Sequence, residues 1–117
     1  MQNNFLRIFR INVLSLAMAM PALAWADAAA EVSMPSPARQ AELLNLIRQD
    51  CGSCHGMRLG GGLGLPLTPQ ALKEKSPDAL KETILYGRGG TPMPPWGPFL
   101  TEAEAGWIVE TLLKGLP

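Results

Sequence analysis

The sequence predicts an all-α domain, and three observations carry that expectation. Beyond residue 26, the β-branched aliphatics are confined to Val32, Ile47, Ile84, Ile108 and Val109, and no stretch alternates apolar and polar residues over the length of a strand. Ser36-Pro37, Thr68-Pro69 and Ser76-Pro77 each place a capping hydroxyl before a proline at the first helical position. Thr101-Glu102-Ala103-Glu104 has the spacing of a capping box, a hydroxyl for the third amide and a carboxylate that reaches back. A chain of 117 residues with two cysteines holds at most one small domain. So small a domain has little apolar core of its own and calls for a staple, whether a disulfide, a metal or a large cofactor.

Residues 1–26 read as a cleaved secretory signal. Arg7 and Arg10 are the only charges before Asp27, an apolar run from Ile11 to Leu23 is broken by Pro21, and Ala22-Leu23-Ala24 or Ala24-Trp25-Ala26 supplies the small-x-small cleavage site. Cleavage is expected before Asp27. A spanning helix needs about 20 apolar residues, and this run is shorter, so export without stable membrane insertion is expected. With the leader go two of the 10 basic residues and none of the 10 acidic ones, which leaves a mildly acidic domain. A chain without excess positive charge is unsuited to broad phosphate neutralisation, so no nucleic-acid partner is expected.

Residues 27–36 are expected to form a flexible mature terminus and residues 37–117 the folded domain. The first helix should cover residues 37 to about 49, with Leu43, Leu44, Leu46 and Ile47 on its apolar side, and lead into Cys51. A short helix over about 69–75 precedes one over about 77–86 that buries Leu80, Ile84 and Leu85 and stops at Gly87 as a left-handed cap. The last helix, about 102–114, should bury Ala103, Trp107, Ile108 and Leu112, with Val109 or Leu113 at the margin. Glycine and proline gather where the helices stop, in 52–66 and 87–98. Unstructured loops of that length inside a compact domain are usually functional, and proline-rich ones are stiff.

Cys51-Gly52-Ser53-Cys54-His55 is C-x-x-C-H, the attachment sequence of c-type haem. Cysteines at i and i+3 of a helical turn face one side and can form thioethers to two vinyl groups, while the next residue sets an imidazole beneath the iron. The signal segment leads to the compartment where such attachment occurs, the periplasm. Other uses of the motif fit less well. A thiol redox site of C-x-x-C type sits in a sheet-containing fold, a disulfide across so short a loop stabilises little, and one histidine with two cysteines leaves a closed zinc site incomplete.

His55 is the only histidine, so bis-histidine ligation within one chain is excluded. Of the methionines beyond the leader, Met34 lies in the loose terminus and Met57 is two residues from the proximal histidine. Met93 is the candidate sixth ligand, because Pro92, Pro94 and Pro95 restrict the backbone around its thioether. His/Met ligation raises the reduction potential, and a saturated iron transfers electrons rather than binding substrate. Trp96 is either a pocket wall or an ordinary core aromatic, and Arg58, Arg88 and Tyr86 are either propionate partners or solvated. Leu59, Leu63, Leu65 and Pro94 are expected as rim contacts for a redox partner. The competing reading is a haem-based ligand sensor or haem-assembly accessory protein with a labile Met93.

Over essentially the whole mature domain the chain resembles class I c-type cytochromes: helix, Cys51-x-x-Cys54-His55, glycine-rich loop, middle helix, Met93 loop and terminal helix. The resemblance implies that the first and last helices cross, with Trp107 packed near Ala41 or Leu44, and that the Pro66 carbonyl accepts a hydrogen bond from His55. More narrowly, Asp50 to Leu59, the run Gly60-Gly61-Gly62-Leu63-Gly64 and Gly89-Gly90-Thr91-Pro92-Met93-Pro94-Pro95-Trp96 are similar to the small periplasmic monohaem cytochromes found with denitrification genes, the NirC type. That likeness implies a monomeric, non-enzymatic electron carrier associated with cytochrome cd nitrite reductase, either supplying its electrons or assisting maturation of its d-type haem.

Overall fold

In the computed structural model, residues 34–117 are described, and they are helical without strands. The expected signal segment 1–26 and positions 27–33 of the expected mature terminus lie outside the described residues. Helix α1, Pro37–Leu46, starts where the sequence marks it: the Ser36 hydroxyl accepts from the Arg39 amide at 3.3 Å, and Pro37 occupies the first turn, where its missing N–H is no loss. The chain does not leave the helix near residue 49. It passes through a π-helical turn, Ile47–Cys51, directly into α2, Gly52–His55. Nothing in this stretch breaks a helix except Gly52, and that glycine is buried.

Helix α3, Pro69–Leu72, is shorter than expected, capped by the Thr68 hydroxyl on the Ala71 amide at 3.3 Å. Helix α4, Pro77–Tyr86, has the expected bounds, but Ser76 makes no side-chain cap; the proline start and Asp78 in the first turn are what favour its N-terminus. Helix α5, Glu102–Lys114, opens with both bonds of the capping box: the Glu104 amide donates to the Thr101 hydroxyl at 3.2 Å, and the Thr101 amide to the Glu104 carboxylate at 2.8 Å.

Helix α5 is the element that α1, α3 and α4 share. Ala105, Ile108, Val109 and Leu112, spaced i, i+3, i+4 and i+7, are its buried residues. Ala103 and Trp107, expected on that face, are only half-buried, and Val109, expected at its margin, is buried. Because three helices grip α5, burial follows the period that starts at Ala105. Leu43, Ile47, Leu72, Leu85 and Leu100 complete the core, and Leu59 joins them from the loop after α2.

At the α1–α5 crossing Ala41 is exposed, so of the two partners expected for Trp107 it offers no buried surface, whereas Leu44 is half-buried. The two helices are tied by Arg39, whose Nε donates to Glu104 at 2.6 Å and whose Nη1 donates to Glu42 at 2.7 Å. Glu104 therefore caps its own helix and holds another. The Arg39 hydrogen bond keeps its carboxyl below the usual range despite some desolvation, and the bonds from Thr101 act in the same sense.

Candidate haem-attachment site

Cys51 ends the π-turn, and Cys54 and His55 lie in the single turn of α2, so the three side chains are presented from positions i, i+3 and i+4 of a continuous helical stretch. Both thiols are free and half-buried. Burial, with the neighbouring Asp50 charge, pushes the Cys51 thiol up to about 11. A thiol exchange site needs the opposite shift, toward a thiolate near neutral pH.

His55 is oriented by a single short contact: its Nδ1 lies 2.6 Å from the Leu65 carbonyl oxygen. A carbonyl only accepts, so Nδ1 carries the proton and Nε2 keeps its lone pair for a metal. The acceptor is Leu65 and not Pro66, one residue earlier than expected. The physical reason lies in Pro66 itself. A proline holds the residue before it in extended conformation, which here fixes the Leu65 peptide plane, while the Pro66 ring packs against Gly61.

The loop that delivers this carbonyl is folded back onto α2. The Gly61 amide donates to the His55 carbonyl at 2.8 Å and the Gly64 amide to the Cys54 carbonyl at 2.8 Å, which satisfies helix-end acceptors that otherwise lack partners. The approach is so close that side chains are barred. A Cβ on Gly64 would lie 2.6 Å from the imidazole Nδ1 and Cε1, and one on Gly62 would lie 2.8 Å from the Cys54 carbonyl. Gly56 turns the chain at φ 87°, where its own Cβ would meet the Gly61 carbonyl at 2.5 Å. Leu59, expected at a partner-facing rim, is buried instead. It adopts φ 56°, an uncommon conformation for a leucine. Its amide donates to Gly56 at 2.7 Å and its carbonyl accepts from Leu67 at 2.9 Å, so loop and core hold it together.

Met93 is half-buried on a separate loop that belongs to α4. The Trp96 and Gly97 amides donate to the Ile84 and Leu85 carbonyls at 2.9 Å each, and the Arg88 amide donates to the Met93 carbonyl at 3.2 Å. Gly87 ends α4 at φ 71° with an extended ψ rather than a left-handed helical one; a Cβ there would meet the Met93 carbonyl at 2.7 Å. Trp96 packs against the core and meets Phe99 edge-on at 6.2 Å. Arg58, Arg88 and Tyr86 are exposed. Leu65, expected only as a rim contact, supplies the His55 acceptor, and Gly64, quoted only within the glycine run, lies against the imidazole. The proline after Leu65 was the signal that could have found it.

Two thiols on one helical turn, beside an imidazole whose Nδ1 is engaged by a carbonyl so that Nε2 can bind a metal, fit covalent haem; the class they define in a helical shell of this kind is the c-type cytochrome. The chain belongs to the family described as cytochrome C oxidase, cbb3-type, subunit III, whose profile matches residues 38–110. It is 50% identical over 102 residues to cytochrome c55X of Pseudomonas aeruginosa, an alignment that covers 87% of this chain and 82% of that one. The solved structure of the c-type cytochrome NirC superposes with a TM-score of 0.69 at 54% identity, covering 70% of this chain and 96% of that one. A third relative, the dihydro-heme d1 dehydrogenase of Pseudomonas aeruginosa, is 38% identical over 72 residues, or 62% of this chain and 15% of that protein. The cofactor is accordingly one haem c, covalently attached through Cys51 and Cys54, and the protein is a cytochrome of a denitrification-associated group. No helix among the described residues is long and apolar enough to cross a membrane.

Proposed function

We propose that the protein is a periplasmic carrier of single electrons, with His55 and Met93 as the axial ligands of its haem. The observation that carries this reading is the His55 contact. With Nδ1 donating to Leu65 at 2.6 Å, the ring is oriented so that Nε2 is its metal-binding nitrogen. When bound, haem iron supplies the one-electron couple. The protein's residues would set how that couple behaves: His55 and Met93 would hold the iron, which would favour electron transfer over ligand binding and raise the potential.

Export of the carrier to the periplasm rests on the signal grammar of residues 1–26. A monomer that meets its partners through a small, transient interface suits a shuttle. Leu63, 88% exposed, and Leu65, 61% exposed, with the exposed Pro94, are the apolar rim residues such an encounter would use. Two destinations for the electron fit the denitrification setting, cytochrome cd nitrite reductase or a factor that matures its d-type haem. Similarity to a protein named for dihydro-heme d1 dehydrogenation favours the maturation branch. There the carrier would take up electrons that such an oxidation releases, one at a time.

The optical spectrum of the protein purified from periplasm tests the ligation. A weak far-red band in the oxidised form, from methionine sulfur to ferric iron, together with no carbon monoxide binding by the reduced form, is the expected result. Bound haem without that band, or ready binding of carbon monoxide, would favour the sensor or assembly reading with a labile Met93.

A further inference from the structure

Between Gly87 and Gly97 the prolines stiffen the chain, but they cannot anchor it. Pro92, Pro94 and Pro95 lack an N–H, so Met93 holds the one backbone donor in residues 92–95. That donor goes to a side chain: the Met93 amide donates to the Thr91 hydroxyl oxygen at 3.3 Å. The same hydroxyl donates its proton to the Arg88 carbonyl at 2.8 Å, and the Thr91 amide donates to that carbonyl at 3.1 Å. Thr91 thus bridges the start of the loop to the backbone of Met93. The Arg88 amide closes the ring from the other side on the Met93 carbonyl at 3.2 Å. By contrast the tip beside it is open, since a Cβ on Gly89 or Gly90 would meet no atom within 4 Å.

We propose that Thr91 is a positioning residue for the methionine ligand, its hydroxyl holding the Met93 backbone in the place from which the thioether reaches the iron. The inference rests on the proposed His55/Met93 ligation. Proline restriction lowers the entropy of the loop, and the Trp96 and Gly97 amides hold its base on α4, but none of these fixes the Met93 amide. The Thr91 hydroxyl does, because its donor and acceptor roles are both used and both partners are main-chain groups.

The test compares the intact haem-loaded protein with Thr91→Val, which keeps the shape and removes both hydroxyl bonds, and Thr91→Ser, which keeps the hydroxyl. The readouts are the far-red band of the oxidised protein and the dissociation constant for added imidazole, which competes with Met93. Thr91→Val is expected to weaken the band and tighten imidazole binding roughly fivefold, the scale of losing two modest exposed hydrogen bonds, while Thr91→Ser stays within about twofold of the parent. A parent protein without the band overturns the ligation and the role of Thr91 with it. A parent with the band and a Thr91→Val variant with the same band and imidazole affinity overturns the role of Thr91 alone, even if that variant melts earlier. Should Thr91→Val not load haem, Thr91→Ala against Thr91→Ser gives the same comparison, and equal imidazole affinities there overturn it.

Discussion

The loop that follows the haem motif and the loop that carries Met93 are both rich in glycine, yet the glycines answer different needs. In the first, Gly56, Gly62 and Gly64 stand where a Cβ would fall within 3 Å of backbone or of the imidazole, and the chain can pass only because no side chain is there. In the second, Gly87 is needed in that way, whereas Gly89 and Gly90 face open space. The proximal side is over-determined, its loop bonded to the helix end and wedged against the ring. The methionine side is held at its base on α4, stiffened by proline and free at its tip. On the proposed His55/Met93 ligation, this difference would hold the histidine in place while the loop offering the second ligand is ordered without being buried.

Gly64→Ala tests the proximal half most severely. Its methyl group would occupy the space of the His55 ring, and either haem loading fails or stability falls by about 3 kcal/mol, the upper range for overpacking; haem absorbance per protein and thermal melting measure it. A fully loaded variant with parental melting would show that the loop is not wedged at all. On the other side, Met93→Ala should abolish the far-red band and let the reduced protein bind carbon monoxide. An unchanged reduction potential with no such binding would remove Met93 as a ligand.

Gly87→Ala probes the base of the methionine loop. A side chain at φ 71° with an extended ψ, a region used almost only by glycine, costs about 1–3 kcal/mol, and displacement of the Met93 carbonyl should weaken the far-red band as well. Retention of the band with only a stability loss would separate the helix end from ligand placement. Glu104→Gln, away from both loops, keeps an acceptor for the Thr101 amide but removes the charge that meets Arg39. Because the folded carboxyl titrates below its ordinary value of 4.5, its stabilisation is complete above that pH and is lost as pH falls through the folded value. Acid-to-neutral melting curves should therefore rise less steeply for the variant than for the parent, with little difference at the acid end. Gly89→Ala should move stability by no more than about 0.5 kcal/mol and leave the spectrum alone. A large effect there would mean the tip is restrained after all.

Much of the fold could be read from local signals. The bounds of α4 and α5 follow from Ser76-Pro77, Gly87 and the Thr101–Glu104 box, because capping chemistry lies within four residues of the helix end. Even so, Ser76 leaves its hydroxyl out of the cap, and the first helix runs on through a π-turn to His55 where a stop near residue 49 was expected. The site was legible in its covalent part, Cys51 to His55, since that motif is contiguous. Its supporting contacts were less so. Pro66 marked the right neighbourhood, but the carbonyl belongs to Leu65, and Leu59 read as a rim residue when its side chain completes the core. Those outcomes depend on how a glycine loop closes, and periodicity carries no information about that.

By itself, then, the sequence determined the all-helical class, the haem motif, the single histidine and the proline frame around Met93, because each is set by neighbours along the chain. Only the tertiary structure decided which carbonyl orients His55, which face of α5 is buried, that Arg39 and Glu104 tie the terminal helices, and that Thr91 receives the Met93 amide. Those depend on segments meeting in space, where the approach of two backbones within van der Waals contact, not residue type alone, selects the partner.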